Sequence, residues 1–453
     1  LDGDWDAAAD DADGQARAYA DAPASSSGDP SLDPPQLRAL GGSAGRLYSI
    51  GSGGNPSYDA PRMRYSFTSY TRPGELHEFD PATGDDRLLK RAKVRGGYDP
   101  TQYVERRVWV DARDGERVPV SLVYRRDAVA AGPMTDTADG MPMFATGYGA
   151  YEISSDPSFS VGRLSMLDRG VLYAVPHIRG GGEMGRAWYE HGRRLEKRHT
   201  FEDFVDAVAA LQDCGFADRT RTVADGGSAG GLLMGAVANL APERFAGIEA
   251  DVPFVDALTT MLDPSLPLTV TEWDEWGDPL HDPDAYEYMR DYSPYENAPM
   301  GGADARPTAA GQALREEEGD GDRYAEGATG ANPDAKAGRP VPHPGDAADH
   351  AMPEPAGGDR ALASHAVWRD GEAVTVYPHI FVTTSMHDTR VLVVEPLKWV
   401  ARLQAAGLDA LIRVETDGGH GGGSGRYKQW RELCYENAWC LAQMRATELL
   451  HVR

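Results

Sequence analysis

Arg221-Thr222-Val223-Ala224-Asp225-Gly226-Gly227-Ser228-Ala229-Gly230-Gly231-Leu232-Leu233-Met234 is the stretch that decides how this chain folds. A short β-like run ends in Gly-x-Ser-x-Gly and passes directly into an apolar run that reads as a helix through Leu240. Strand, serine, helix is the order of a nucleophile elbow, in which the serine sits at a strained turn on the C-terminal edge of a sheet. Ala229, Gly230 and Gly231 carry little or no side chain, so the helix and the strand can approach closely. The same pentapeptide occurs at 41–45, but there Ser43 leads out of an Ala/Asp/Ser/Gly/Pro-rich segment into a β-like run. Ser228, and not Ser43, is the candidate nucleophile.

Working outward, apolar strands alternate with helical patterns on both sides of the elbow. Strands are expected at 108–110, 118–124, 143–145, 171–175, 222–223, 247–250, 380–384 and 410–414. Helices are expected at 201–211, 230–240, 395–405 and 429–445. This alternation predicts an α/β-hydrolase fold, a mostly parallel sheet with helices on both faces. It places the catalytic domain at 98–298 and 374–453. Segment 46–97 reads instead as short β-runs divided by turns, such as Pro81-Ala82-Thr83-Gly84. Residues 1–45 read as a flexible acidic segment, and 299–373, rich in Gly, Ala, Asp and Pro, as a disordered surface insertion.

A serine hydroxyl needs a base, and the base needs an orienting carboxylate. In this fold they follow the serine in the order acid, then histidine, on loops after later strands. The expected strand 380–384 runs into Ser385-Met386-His387-Asp388, and the next one into Asp417-Gly418-Gly419-His420-Gly421-Gly422. Taken singly, Asp388 reads equally well as a helix N-cap and His420 as a solvated loop residue; their order and placement make them the candidate triad partners of Ser228. His387 is the rival base, on the wrong strand. The oxyanion formed by attack needs preorganised donors. The Ala229 N–H is one, and the hydroxyl of Tyr148, between Gly147 and Gly149 after an earlier strand, is a candidate second.

Charge narrows the partners. The chain carries 45 Lys plus Arg against 71 Asp plus Glu, a net charge of −26, and only six of the basic residues are lysine. That balance excludes a nucleic-acid or anionic-membrane footprint and suits cationic substrates, although a salt-adapted surface has the same composition. Cys214, Cys434 and Cys440 form neither a disulfide framework nor a zinc pattern, and no run of apolar residues is long enough to span a bilayer. No His-Glu-x-x-His is present, so metal hydrolysis is disfavoured. The start at Leu1-Asp2-Gly3-Asp4, without Met or an apolar signal, reads as processed or truncated.

Five separated motifs together resemble oligopeptidase B, the basic-residue-specific branch of the prolyl oligopeptidase family of serine peptidases. They are 156–160 (Asp-Pro-Ser-Phe-Ser), 177–185 (His-Ile-Arg-Gly-Gly-Gly-Glu-Met-Gly), 226–231, 271–277 (Thr-Glu-Trp-Asp-Glu-Trp-Gly) and 418–422. The resemblance implies a cytoplasmic peptidase that cleaves short peptides after Arg or Lys without metal or cofactor. It implies Ser228, Asp388 and His420 as triad and Tyr148 as oxyanion donor. It implies Glu272 as the acid that holds the P1 guanidinium or ammonium, Asp274 and Asp156 as further substrate-site acids, and Arg390 as a backbone-binding arginine. The position two after Asp156 is Ser158, so the second acid of that motif is missing. Trp273 and Trp276 are candidate pocket walls. The family carries a β-propeller ahead of the hydrolase; about 100 residues here leave room for at most two blades, where about four are needed to close. Region 46–97 therefore resembles a propeller remnant. The rival readings are a prolyl or acylaminoacyl peptidase, an esterase, or a catalytically dead remnant acting as a binding module. Nothing in the sequence reports oligomeric state.

Overall fold

The computed structural model of the chain describes residues 43–44, 47–130, 140–299, 366–369, 372–375 and 377–449. Four short strands, β2 (Tyr48–Ser52), β3 (Met63–Ser69), β4 (Glu75–Phe79) and β5 (Asp86–Arg91), make an antiparallel meander in chain order. The larger sheet has nine strands. Their order is β1 (Ser43–Ala44), β6 (Tyr103–Asp111), β7 (Arg117–Arg125), β9 (Leu172–Pro176), β8 (Met141–Thr146), β10 (Ala217–Gly227), β11 (Gly247–Asp251), β14 (His379–Ser385) and β15 (Ala410–Glu415). From β9 to β15 every neighbour is parallel, whereas β1, β6 and β7 join antiparallel at one edge.

Alternation along each strand feeds two cores. Phe144 and Val223 point to a cluster with Met166, Cys440, Leu441 and Met444. Their neighbours Met143, Ala145 and Ala224 point to the main core with Phe204, Leu232 and Trp399. The helices α1 (Val161–Leu167), α2 (Arg198–Asp213), α3 (Ala229–Leu240), α4 (Thr269–Trp276), α5 (Val394–Ala405) and α6 (Arg426–Gln443) divide accordingly. α1 and α6 supply the first cluster, and α2, α3 and α5 the second. In α2 the apolar residues Phe201, Phe204, Val205, Val208 and Leu211 recur at the spacing that makes one buried stripe. A strand covered on both faces needs apolar residues at almost every position, as β7 and β8 have.

The expected strands and helices of the larger sheet are present, most of them longer than expected; the strand expected at 171–175 spans Leu172–Pro176, and the helix expected at 429–445 spans Arg426–Gln443. Ser43 lies in the two-residue strand at the sheet edge, paired with Arg107, and the next element among the described residues is strand β2. At the end of the segment expected to be without structure, β12 (Ala366–Arg369) pairs antiparallel with β13 (Glu372–Thr375), which runs two residues past 373. The remainder of that segment and nearly all of 1–45 lie outside the described residues. Glu105 of β6 ties the meander to the larger sheet, and buried Tyr70, just after β3, packs with Tyr103, Val123, Leu164 and Leu167. Glu105 Oε1 accepts from Ser69 Oγ (2.7 Å), Thr71 N (2.7 Å) and Thr71 Oγ1 (2.6 Å), and Oε2 accepts from Leu47 N (2.9 Å). Among the described residues no helix is long and apolar enough to cross a membrane.

Candidate active site

Because β8, β10, β11, β14 and β15 are parallel, the loops after them leave the same edge of the sheet. Ser228 stands between β10 and α3 with φ of 58°, on the left-handed side that non-glycine residues seldom occupy. Neighbouring backbone holds it there. Its N–H donates to Asp251 O (2.8 Å), and its carbonyl accepts from Gly231 N (2.9 Å) and Phe254 N (3.1 Å). The elbow also requires its glycines: a Cβ on Gly226 would lie 2.6 Å from Gly230 O, and one on Gly231 would lie 2.3 Å from Pro253 Cβ. Ala229 opens α3, so its N–H is one of the donors that a helix leaves without an internal acceptor.

Asp388 and His420 meet as expected. His420 Nδ1 lies 2.7 Å from Asp388 Oδ2, with the carboxylate fully buried and the imidazole partly exposed. The other oxygen, Oδ1, accepts from Arg390 N (2.8 Å) and Val391 N (3.0 Å), so the carboxylate cannot turn away. The two loops are tied together by Ser385 Oγ, which donates to Gly418 O. Asp251, whose carbonyl holds the elbow, lies near both partners. Burial raises its carboxyl pKa, Asp388 acts in the same sense, and His420 opposes them. His387 is exposed and is not the histidine paired with Asp388.

Ser228, Ala229, Tyr148, Glu272 and Arg390 line one cavity of about 280 Å³. The Tyr148 hydroxyl lies near the Ser228 side chain; burial raises the phenol pKa and Ser228 works against that rise. Glu272, on α4, is held by its Oε2, which accepts from Tyr151 Oη (2.9 Å) and Trp276 Nε1 (2.8 Å). Its Oε1 accepts no hydrogen bond from the described residues. Phe254, Met261, Leu266, Pro267 and Leu268 give the cavity an apolar wall. A carboxylate in a slot with one apolar wall, with one oxygen fixed and one open, can receive a long side chain that ends in a cation.

Two expected acids do not reach this cavity. Asp274 is exposed and pairs with Arg194 on the other side of α4. Residues two apart on a helix point in nearly opposite directions, so Asp274 cannot share a pocket with Glu272. Asp156 is exposed on the irregular loop before α1. Trp276 is buried and orients Glu272 instead of walling the cavity, and Trp273 Nε1 donates to Met261 O (3.1 Å). The sequence reading missed Tyr151, Glu275 and Lys197. Glu275 accepts from Tyr151 N (2.9 Å) and Tyr189 Oη (2.6 Å). Its place at i+3 from Glu272 was the available signal. Among the described residues no group of three His, Cys, Asp or Glu side chains could hold a metal ion.

A mixed sheet with a parallel core, an elbow serine and an Asp–His pair on successive strand ends define an α/β-hydrolase fold, preceded here by a small antiparallel sheet. The chain belongs to the prolyl oligopeptidase family, whose model matches residues 157–308 and 358–447. It is 39% identical over 401 residues to dipeptidyl aminopeptidase BI of Pseudoxanthomonas mexicana, covering 88% of this chain and 44% of that protein. It is 34% identical over 401 residues to protease 2 of Moraxella lacunata, covering 88% of this chain and 46% of that one. Among solved structures, oligopeptidase B of Leishmania major matches with TM-score 0.69 and 31% identity, over 90% of this chain and 46% of that one. Oligopeptidase B of Trypanosoma brucei, with covalently bound antipain, matches with TM-score 0.68 and 31% identity, over 89% of this chain and 46% of that one. The chain thus spans about half the length of the curated relatives it matches.

Proposed function

We propose that the chain is a cytoplasmic serine peptidase that hydrolyses short peptides after Arg or Lys through an acyl-enzyme. The observation that carries this reading is the open oxygen of Glu272 in the same cavity as Ser228 and Tyr148. Ser228 Oγ attacks the scissile carbonyl while His420 takes its proton. Asp388 keeps the other imidazole nitrogen protonated and the ring oriented. The negative oxygen formed is held by Ala229 N–H and the Tyr148 hydroxyl. His420 then gives its proton to the leaving amine, and water repeats the sequence to release the acid and restore Ser228. Glu272 selects the cationic P1 side chain and Arg390 binds substrate backbone. Asp156 serves peptide residues beyond P1, and Asp274 is given no role. In this reading 98–298 and 374–453 form the catalytic domain, 46–97 a propeller-derived unit, 1–45 a flexible acidic segment and 299–373 an insertion.

Ser228→Ala should abolish both hydrolysis of an arginyl reporter peptide and labelling by a serine-reactive fluorophosphonate. Full activity in that variant would refute the assignment. The name of the 39%-identical relative favours a second reading, removal of dipeptides from free N-termini by the same triad. Blocking the amino terminus of the reporter separates them, because only the dipeptidyl activity needs a free amine.

A further inference from the structure

Lys197, one of only six lysines in the chain, carries its charge into the interior. It precedes α2, and its side chain is 1% exposed. Nζ donates to Gly149 O (2.5 Å) and Gly192 O (3.2 Å) and lies 5.1 Å from the centroid of the Trp276 ring. Two carbonyls and an aromatic face account for the three N–H groups of an ammonium. No carboxylate among the described residues pairs with it directly. Burial pushes its pKa down to about 8, against the more distant charge of Glu275, so it remains cationic at neutral pH. Burying a charge without a counter-ion is costly, and an apolar side chain of the same length would fill the space without that cost. What the ammonium holds therefore needs an explanation.

It holds the residue next to Tyr148. The loop 147–152 is strained at Tyr151 and Glu152, which have φ of 58° and 59°, and Gly149 before them takes φ of 69°. Such a backbone persists only where its surroundings over-determine it. Gly147 N donates to Asp225 O (3.2 Å), Tyr151 N to Glu275 Oε1 (2.9 Å) and Glu152 N to Gly180 O (3.1 Å). Gly149 cannot be fixed by a side chain of its own, since a Cβ there would lie 2.4 Å from Thr200 Cγ2. Its carbonyl is instead pulled onto Lys197.

We propose that Lys197 is a positioning residue for the oxyanion donor: by clamping the Gly149 carbonyl, its ammonium fixes the Tyr148 hydroxyl beside Ser228. The proposal rests on the peptidase reading above. It is tested in the full chain with Lys197→Met, Tyr148→Phe and the double variant, on arginyl and neutral reporters. Losing an oxyanion donor costs about 100- to 1000-fold in kcat, so misplacing one should cost about 10- to 100-fold. The expected result is that Lys197→Met lowers kcat by that factor, leaves KM and the preference for Arg unchanged, and has almost no further effect in the Tyr148→Phe background. An equal loss in both backgrounds, or a loss confined to KM or to Arg preference, would overturn the proposal. So would a Lys197→Met chain that no longer melts cooperatively, with Lys197→Gln failing likewise, since the lysine would then be serving the fold alone. Inactivity of the unsubstituted chain on every reporter would fault the peptidase reading itself, and this proposal would fall with it.

Discussion

Replacing Glu272 by glutamine removes one charge from the cavity and almost nothing else. The amide oxygen can still accept from Tyr151 Oη and Trp276 Nε1, which now hold the carboxylate at 2.9 and 2.8 Å. The amide nitrogen then takes the place of the open oxygen and presents donors to a guanidinium that has only donors. A hydrogen bond to a charged group contributes about 1.5–3 kcal/mol. At ~1.4 kcal/mol per tenfold, kcat/KM for an arginyl reporter should fall about 10- to 150-fold. The loss should fall toward the upper end, because the donor–donor contact adds to the lost attraction. A reporter with a neutral P1 residue should change little, because the apolar wall of Phe254, Met261 and Leu268 is untouched. The assay is the ratio of kcat/KM on arginyl and neutral reporters, measured for both chains at matched salt. An unchanged ratio, whatever happens to the absolute rates, would refute the reasoning that Glu272 reads the P1 charge.

Tyr148→Phe should lower kcat on the arginyl reporter about 100-fold or more with KM nearly constant; a KM effect alone would show that the hydroxyl binds ground-state substrate and not the oxyanion. Gly226→Ala would force a Cβ to 2.6 Å from Gly230 O and 2.9 Å from Gly147 O, so the elbow must open, and both activity and melting temperature should drop sharply. Gly227→Ala, whose Cβ would meet Asp251 O at 3.3 Å, should be far milder, and equal effects would contradict the contact argument. Glu436 on α6 is pushed up to about 7 by burial, with Asp251, Asp225 and Glu432 adding to the rise. The folded chain thus holds a proton that the unfolded chain releases above ~4.3, so stability falls as pH rises from ~4.3 to about 7 and is level above that. The gain in melting temperature from Glu436→Gln should therefore grow from about pH 5 to about pH 7 and then level off; a gain that shrinks over that range would have the sign wrong.

The parts of the site that follow from local rules were legible in the sequence. An elbow needs a strand, small residues and a helix in contiguous order, and all three are adjacent in 221–240. The Asp388–His420 pair was readable because parallel neighbours in a sheet put successive strand ends side by side. Asp274 was misread because a linear motif hides the 100° turn per residue of the helix that carries it. Lys197 had no motif at all: its role depends on Gly149, 48 residues away, and on the path of a glycine-bounded loop. The β12–β13 pair sits in a composition that argues for disorder, yet Asp370-Gly371, flanked by Val367-Trp368 and Val374-Thr375, is a hairpin signal of its own.

The single carboxylate of Glu105 that receives Ser69, Thr71 and Leu47 has a dynamic consequence. Four hydrogen bonds that end on one side chain are lost as one event, because once that side chain swings out its partners all lose their acceptor together. Tyr70, packed against Tyr103, Val123 and Leu167, still holds the meander when they go, so the amides of Leu47 and Thr71 open locally, on an exchange clock of their own, while both sheets stay intact.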